Sequence, residues 1–304
     1  MKLSKNCILG FINLFFLILF FVSFNSRFTN KDTSEIIKTE LINEKNVNSI
    51  TKIQFSQGNK KLFLIKNDDF WILKTDENSK NAMPGDTVKI EKFITDFASL
   101  RDIKKLSNKI SEKNNYGFDD INSFKIRYFI DDDNFSDLIF GGQDFSLSSR
   151  YLMVSNKATV FELDDSLDSY LDLSIQQWSE PTIISKNVLG NVDETDIQSI
   201  TITENGTKFI YTKNTTDDFF TKANKLLELR HGGLGESVSS VNSVKDIKIE
   251  FGNKEWVTLS FYNSTEEKEY IIVSQYYIEA INKKYYYTSK ISSWTYNRIN
   301  EIML

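Results

Sequence analysis

One histidine, His231, and one cysteine, Cys7, are all the imidazole and thiol in this 304-residue chain. A disulfide within the chain is therefore impossible, and a zinc site would need carboxylates to complete it. Cys7 lies in an apolar N-terminal run, which removes it as a partner for His231 in nucleophilic catalysis. A Ser-His-Asp triad built on His231 would need a serine on a G-x-S-x-G turn, and the chain has none. The segment HGGLGES at 231–237 could offer backbone amides to an anion. It lacks the lysine and serine spacing of a phosphate loop, and it follows LLELR, where a helix end calls for glycine. Cap and loop is therefore its reading.

Acidic clusters are the other candidates. DDDN at 131–134 lacks the turn glycine and distal glutamate of a calcium loop and sits between strand-like runs, as a hairpin turn would. The pairs Asp68–Asp69, Asp119–Asp120 and Asp164–Asp165 put neighbours on opposite faces of any strand, so adjacency alone makes no acid/base pair. Asp164 and Asp165 suit the start of a short helix. No catalytic, cofactor-binding or metal residue is assigned. Aromatic clusters remain: KYYYT, QYYIE, WTY and FW. Tyr and Trp anchor cores, protein interfaces and sugar-binding surfaces alike. Along KYYYT, Tyr286 must face away from Tyr285 and Tyr287, which makes its face a candidate for partner binding.

The elements that would position these residues occur twice. ITKIQFSQGNKKLFLIKNDDFWIL at 50–73 is echoed by IQSITITENGTKFIYTKNTTDDFF at 197–220, each an alternating run, a polar turn and a second run. Asn205-Gly206 suits a two-residue hairpin. Ile50 falls on Ile197, an offset of 147 positions. YLMVSNKATVFEL at 151–163 resembles YIEAINKKYYYTS at 277–289, where Asn156 falls on Asn282, an offset of 126. The second copy is then about 21 residues shorter in its middle, which in the first copy holds IKKLSNKISEKNNYGFDD.

Each copy reads as hairpin, helix, several antiparallel strands and a closing short helix. The helices fall at 88–100, with Ile90, Phe93, Ile94 and Phe97 at helical spacing, and at 220–230. EYIIVSQ and YIEAIN read as two strands of the second copy. The fold class expected is α+β: an N-terminal transmembrane helix, then two tandem repeats, each an antiparallel sheet with packed helices.

Residues 7–24 carry no charge and follow Lys2 and Lys5. As a helix they would span about 27 Å, close to a hydrocarbon core. A cleaved signal peptide is the rival reading, but the exit FVSFNSRF lacks a small-x-small site. The organisation expected is a signal-anchor helix at 1–24, a polar stalk at 25–48, a first repeat at 49–180 and a second at 181–304. The body would sit on the extracytoplasmic, periplasmic side of the cytoplasmic membrane on a single pass. The net charge of -5 argues against a nucleic-acid partner.

The hairpin ending DDFWILK, the helix after AMPGDTV, the NNYGFDD segment and LIFGGQDFSLSSRYLMVSNKATVFEL together resemble the bacterial domain of unknown function 4340. That family's Tyr-Gly-Leu followed by Pro is here Tyr116-Gly117-Phe118 followed by Asp119 and Asp120. The resemblance implies an envelope location beside gliding-motility-type ABC transporters, with the transporter permease or another envelope protein as partner. It implies no catalytic residues and no cofactor. The function expected is a membrane-anchored, non-enzymatic accessory or scaffold protein. The alternative is an envelope module that binds glycan, peptide or lipid.

Overall fold

A computed structural model describes Phe16 and residues 35–303, apart from 108–113, 132–133, 155–158, 215–216 and 239–241. The expected anchor at 1–24, Phe16 excepted, lies outside the described residues. Among those described, no helix is long and apolar enough to cross a membrane.

Two antiparallel sheets with a few helices make a mostly β structure. The first sheet holds β1 (Ile36–Thr39), β2 (Lys52–Gln57), β3 (Lys60–Asn67), β4 (Phe70–Lys74), β5 (Met83–Pro84), β6 (Arg101–Ser107), β7 (Phe124–Phe129), β8 (Phe135–Gln143), β9 (Ser149–Val154) and β10 (Val160–Asp164). Its order is β1-β6-β10-β9-β8-β7-β2-β3-β4-β5. The second holds β11 (Ile197–Glu204), β12 (Thr207–Thr212), β13 (Gly233–Leu234), β14 (Lys245–Phe251), β15 (Trp256–Asn263), β16 (Glu269–Ile278) and β17 (Lys283–Ser292). Its order is β12-β11-β14-β15-β16-β17-β13.

One plan generates both orders. A hairpin is followed by a helix, α1 (Thr87–Ala98) or α4 (Phe219–Leu227). The next strand, β6 or β13, is laid on the far side, with β1 beyond β6 in the first sheet, and a four-strand meander fills the space between. Two short helices, α2 (Ile175–Trp178) and α3 (Lys186–Leu189), join the repeats, and α5 (Ser293–Met303) ends the second. Sequence makes these choices locally. Asp86 caps α1 by accepting the Lys89 amide at 3.1 Å. The stripe Ile90, Phe93, Ile94 and Phe97 is buried against the first sheet. Asn205 and Gly206 have φ of 51° and 79°, the left-handed pair that a tight hairpin needs.

Four expectations are corrected. The stalk at 25–48 is not a stalk in its second half: Ile36–Thr39 pairs with β6, and Leu41 and Ile42 are buried. Two amides drive this, since Leu41 and Ile42 both donate to the Phe97 carbonyl at the end of α1. EYIIVSQ and the first two residues of YIEAIN, Tyr277 and Ile278, belong to one continuous ten-residue strand paired along its length with β17, and Glu279–Ile281 is a 3-10 turn. The closing segment of the first repeat is a 3-10 turn, Asp165–Tyr170, where α5 closes the second. The shortening of the second copy falls mainly before its helix, where 213–218 replaces the stretch 68–86 that carries β4 and β5.

That extra arm fuses the repeats. Phe70 of β4 and Ala82 beside β5 belong to the core of the second repeat, and Leu234 of β13 packs on the core of the first.

Candidate functional site

The residues singled out by type serve structure. The Nε2–H of His231 donates to the Glu180 carbonyl at 2.6 Å, and its Nδ1 accepts the Gly233 amide at 3.1 Å. Both ring nitrogens are therefore occupied by the neutral ring. Burial pushes its pKa down, with the Glu180 carbonyl opposing. HGGLGES does not cap a helix. Gly233 and Leu234 are the edge strand β13, and a Cβ on Gly235 would meet the Ser289 carbonyl oxygen at 2.9 Å. Glycine is there because two strands approach closely.

Asp131 accepts the Asn134 amide at 2.7 Å in the β7–β8 turn. Asp119 accepts the Ile121 and Asn122 amides, and Asp164 caps the 3-10 turn through Ser166. Among the described residues, no three His, Cys, Asp or Glu side chains gather as a metal site. Asp68 differs from the rest. It accepts from Lys283 at 2.7 Å and from the Tyr285 hydroxyl at 2.6 Å, both in the other repeat. These bonds hold its carboxyl below the usual range, and Lys283 contributes most.

The junction that Asp68 borders was not legible by residue type. Glu180 is buried between the repeats. Its carboxylate accepts from Ser185 Oγ at 2.5 Å and from the Lys186 amide at 2.7 Å, at the start of α3. Desolvation raises its pKa against those bonds. Next to it, the Tyr276 hydroxyl accepts the Ser185 amide and donates to the Ile183 carbonyl.

The two titrations have opposite signs. Below about pH 6.5 an unfolded chain protonates His231 while the fold resists, so stability falls as pH drops. Glu180 takes up its proton earlier in the fold than in the unfolded chain, so it adds stability at lower pH. We expect a loss of stability from pH 6.5 to 5.5, no steeper than about 1.4 kcal/mol per unit. His231→Gln should flatten it. Urea midpoints at the two pH values, equal slopes in both proteins, would reject this account.

Two surfaces stand out among the described residues. Between the repeats lies a cleft of about 460 Å³, lined by Lys60, Lys61, Gln176, Gly232, Leu234 and Lys290 among others. It is wide-mouthed and cationic at its rim, unlike a lipid pocket. The other surface is the outer face of the second sheet. Val257, Leu259, Tyr276, Tyr285 and Tyr287 fill the core, so Trp256, Gln275, Tyr277, Lys284 and Tyr286 point the other way. Trp256 and Tyr277 stack across β15 and β16 with centroids 5.8 Å apart. Lys248 and Lys284 lie 5.5 and 5.7 Å from the Trp256 ring. Gln275 donates to the hydroxyl of Tyr286, which is 56% exposed.

The corresponding face of the first sheet is covered in part: Phe135, at the start of β8, stays 46% exposed with Arg127 over its ring. The crossover from β6 to β7 lays Tyr116 and Phe118 on Tyr151, Met153 and Ile139. Gly117, at φ 74°, lets that backbone touch β8, since a Cβ there would sit 2.7 Å from the Gly142 nitrogen. The second crossover is instead tied by Glu236 to Ser264 and Thr265, at the β15–β16 turn. Trp256 and Tyr277 are at the opposite ends of those strands and stay open.

A family model, described as a domain of unknown function (DUF4340), matches residues 76–250, more than half of the chain. The chain belongs to the DUF4340 family. The DUF4340 match runs from the arm before α1 through the whole first meander to β14, so it takes in Tyr116-Gly117-Phe118, Glu180 and His231. The aromatic strands β15–β17 follow it. No curated protein and no solved structure matches the chain.

Proposed function

We propose that this DUF4340 protein is a non-enzymatic, membrane-tethered accessory or scaffold protein of an ABC-type transport complex, its body on the extracytoplasmic side of the cytoplasmic membrane. The observation that carries the proposal is the open face of the second sheet, with Trp256, Tyr277 and Tyr286 displayed in a row of rings and cations. Large rings with a polar tip give contact area at little entropic cost, which suits a protein interface. The apolar run at 7–24 would confine that face beside an integral partner and raise its effective concentration. A functional centre of catalysis gains nothing from the only histidine, whose two nitrogens are already bonded.

The test is crosslinking of the full-length protein in its native membrane, detergent extraction and mass spectrometry. Recovery of a permease with its ATPase is expected. Tyr286→Ala, at an exposed position, should weaken that recovery by about 2 kcal/mol, some thirty-fold in affinity, without changing the melting temperature. No permease, under conditions that preserve another transport complex, rejects the proposal.

The lysine-rimmed cleft favours a second reading, an envelope ligand-binding module. The ligand would be a polar, anionic glycan or peptide rather than lipid, and titration calorimetry with acidic oligosaccharides would detect it.

A further inference from the structure

The repeats differ at one edge. At the offset of 147 positions, Leu62, Phe63 and Leu64 of β3 become Phe209, Ile210 and Tyr211 of β12. In β3 these positions are 0, 5 and 0% exposed, and β4 is hydrogen-bonded along the strand's outer side. β12 keeps the apolar pattern but has no strand beyond it among the described residues, because 213–218 stands in place of the β4–β5 arm. Phe209 is 49% and Ile210 64% exposed, on opposite faces of the strand. Natural edge strands ordinarily avoid this arrangement, since it is a template for another strand.

The phase of the hairpin fixes which backbone groups are offered. With a two-residue turn, Glu204–Thr207 and Ile202–Phe209 are hydrogen-bonded pairs, so the N–H and C=O of Lys208 and Ile210 point outward. We infer that β12 pairs antiparallel with β12 of a second copy of this chain, about a two-fold axis at Phe209, joining two second repeats into one continuous sheet. The edge is self-complementary in that register. Lys208 lies opposite Ile210 of the other copy, giving four backbone hydrogen bonds. The two Phe209 rings meet in the closer, non-hydrogen-bonded pair. No like charges face each other, and the Lys208 stem lies along the facing isoleucine. The contact is isologous, so it closes at two copies and does not propagate.

Cysteine crosslinking reads this directly. In full-length protein with Cys7→Ser, Phe209→Cys should form a disulfide-linked dimer at least ten-fold faster than Ile121→Cys, a control in the first repeat that is more exposed, 75% against 49%. A non-hydrogen-bonded pair places Cα atoms about 4.5 Å apart, within disulfide reach. Adding Ile210→Lys, which sets two lysines opposite each other across each pair, should bring the rate down to that of the control. Adding Lys208→Glu as well should restore it. Both changes are at exposed positions and leave the core intact, and circular dichroism checks the fold. Equal rates for Phe209→Cys and Ile121→Cys, or no recovery with the paired charges, overturn the inference.

Discussion

Replacing Trp178 by Ala is expected to cost the first repeat about 3–5 kcal/mol, seen as a fall in its urea midpoint. Trp178 is fully buried, stacks on Phe55 with centroids 4.9 Å apart and meets Phe93 edge-on at 5.4 Å. Its indole N–H donates to the Asp172 carbonyl at 2.8 Å, and its own carbonyl accepts the Asp86 amide at the head of α1. Removing the ring leaves a cavity that these neighbours, each fixed by a strand or helix, can only partly fill. Trp178→Phe keeps most of the volume and loses the N–H, so it should cost clearly less. Equal losses for the two variants would mean that the hydrogen bond, and not the packing, is what matters.

Phe70→Ala should do something different. Phe70 is in the first repeat by sequence but meets Tyr285 at 5.3 Å and Tyr287 at 6.4 Å, both edge-on, in the second core. Truncation should cost about 3 kcal/mol and remove the main apolar plug between the repeats. The polar contacts beside it, Asp68 with Lys283 and Tyr285 and the Thr288 amide with the Ala82 carbonyl, are few and partly exposed, so they should couple the two cores only weakly. Calorimetry should show one endotherm for the parent protein and two for the variant. A single, merely shifted endotherm would place the coupling elsewhere, with Glu180 and its amides as the next candidate.

What could be read from the sequence was what is local. Strand alternation, the Asn205-Gly206 turn, the α1 stripe and the facing of Tyr286 away from Tyr285 and Tyr287 follow from short-range chemistry. The two-sheet repeat was visible because both hairpins and the strands that follow them kept their order. What escaped depends on distant partners. Ile36–Thr39 is too short and polar to announce a strand, and only β6 and the Phe97 carbonyl make it one. Glu180 carries no signal of burial, since the donors that solvate it come from a helix of four residues. The arm at 68–86 read as the tail of a hairpin, because its partners Tyr285 and Thr288 lie about two hundred positions later.

That separation has a consequence for how the chain is made. Synthesis runs from the N-terminus, so the first repeat is complete in length while the residues that cover Phe70 do not yet exist. Its arm must wait, with an apolar ring in water, until Lys283–Ser292 has emerged and paired. Chains stopped short of residue 283 should therefore be sticky intermediates, natural clients for a holdase chaperone, and the last ten-residue strand acts as the latch that ends that dependence.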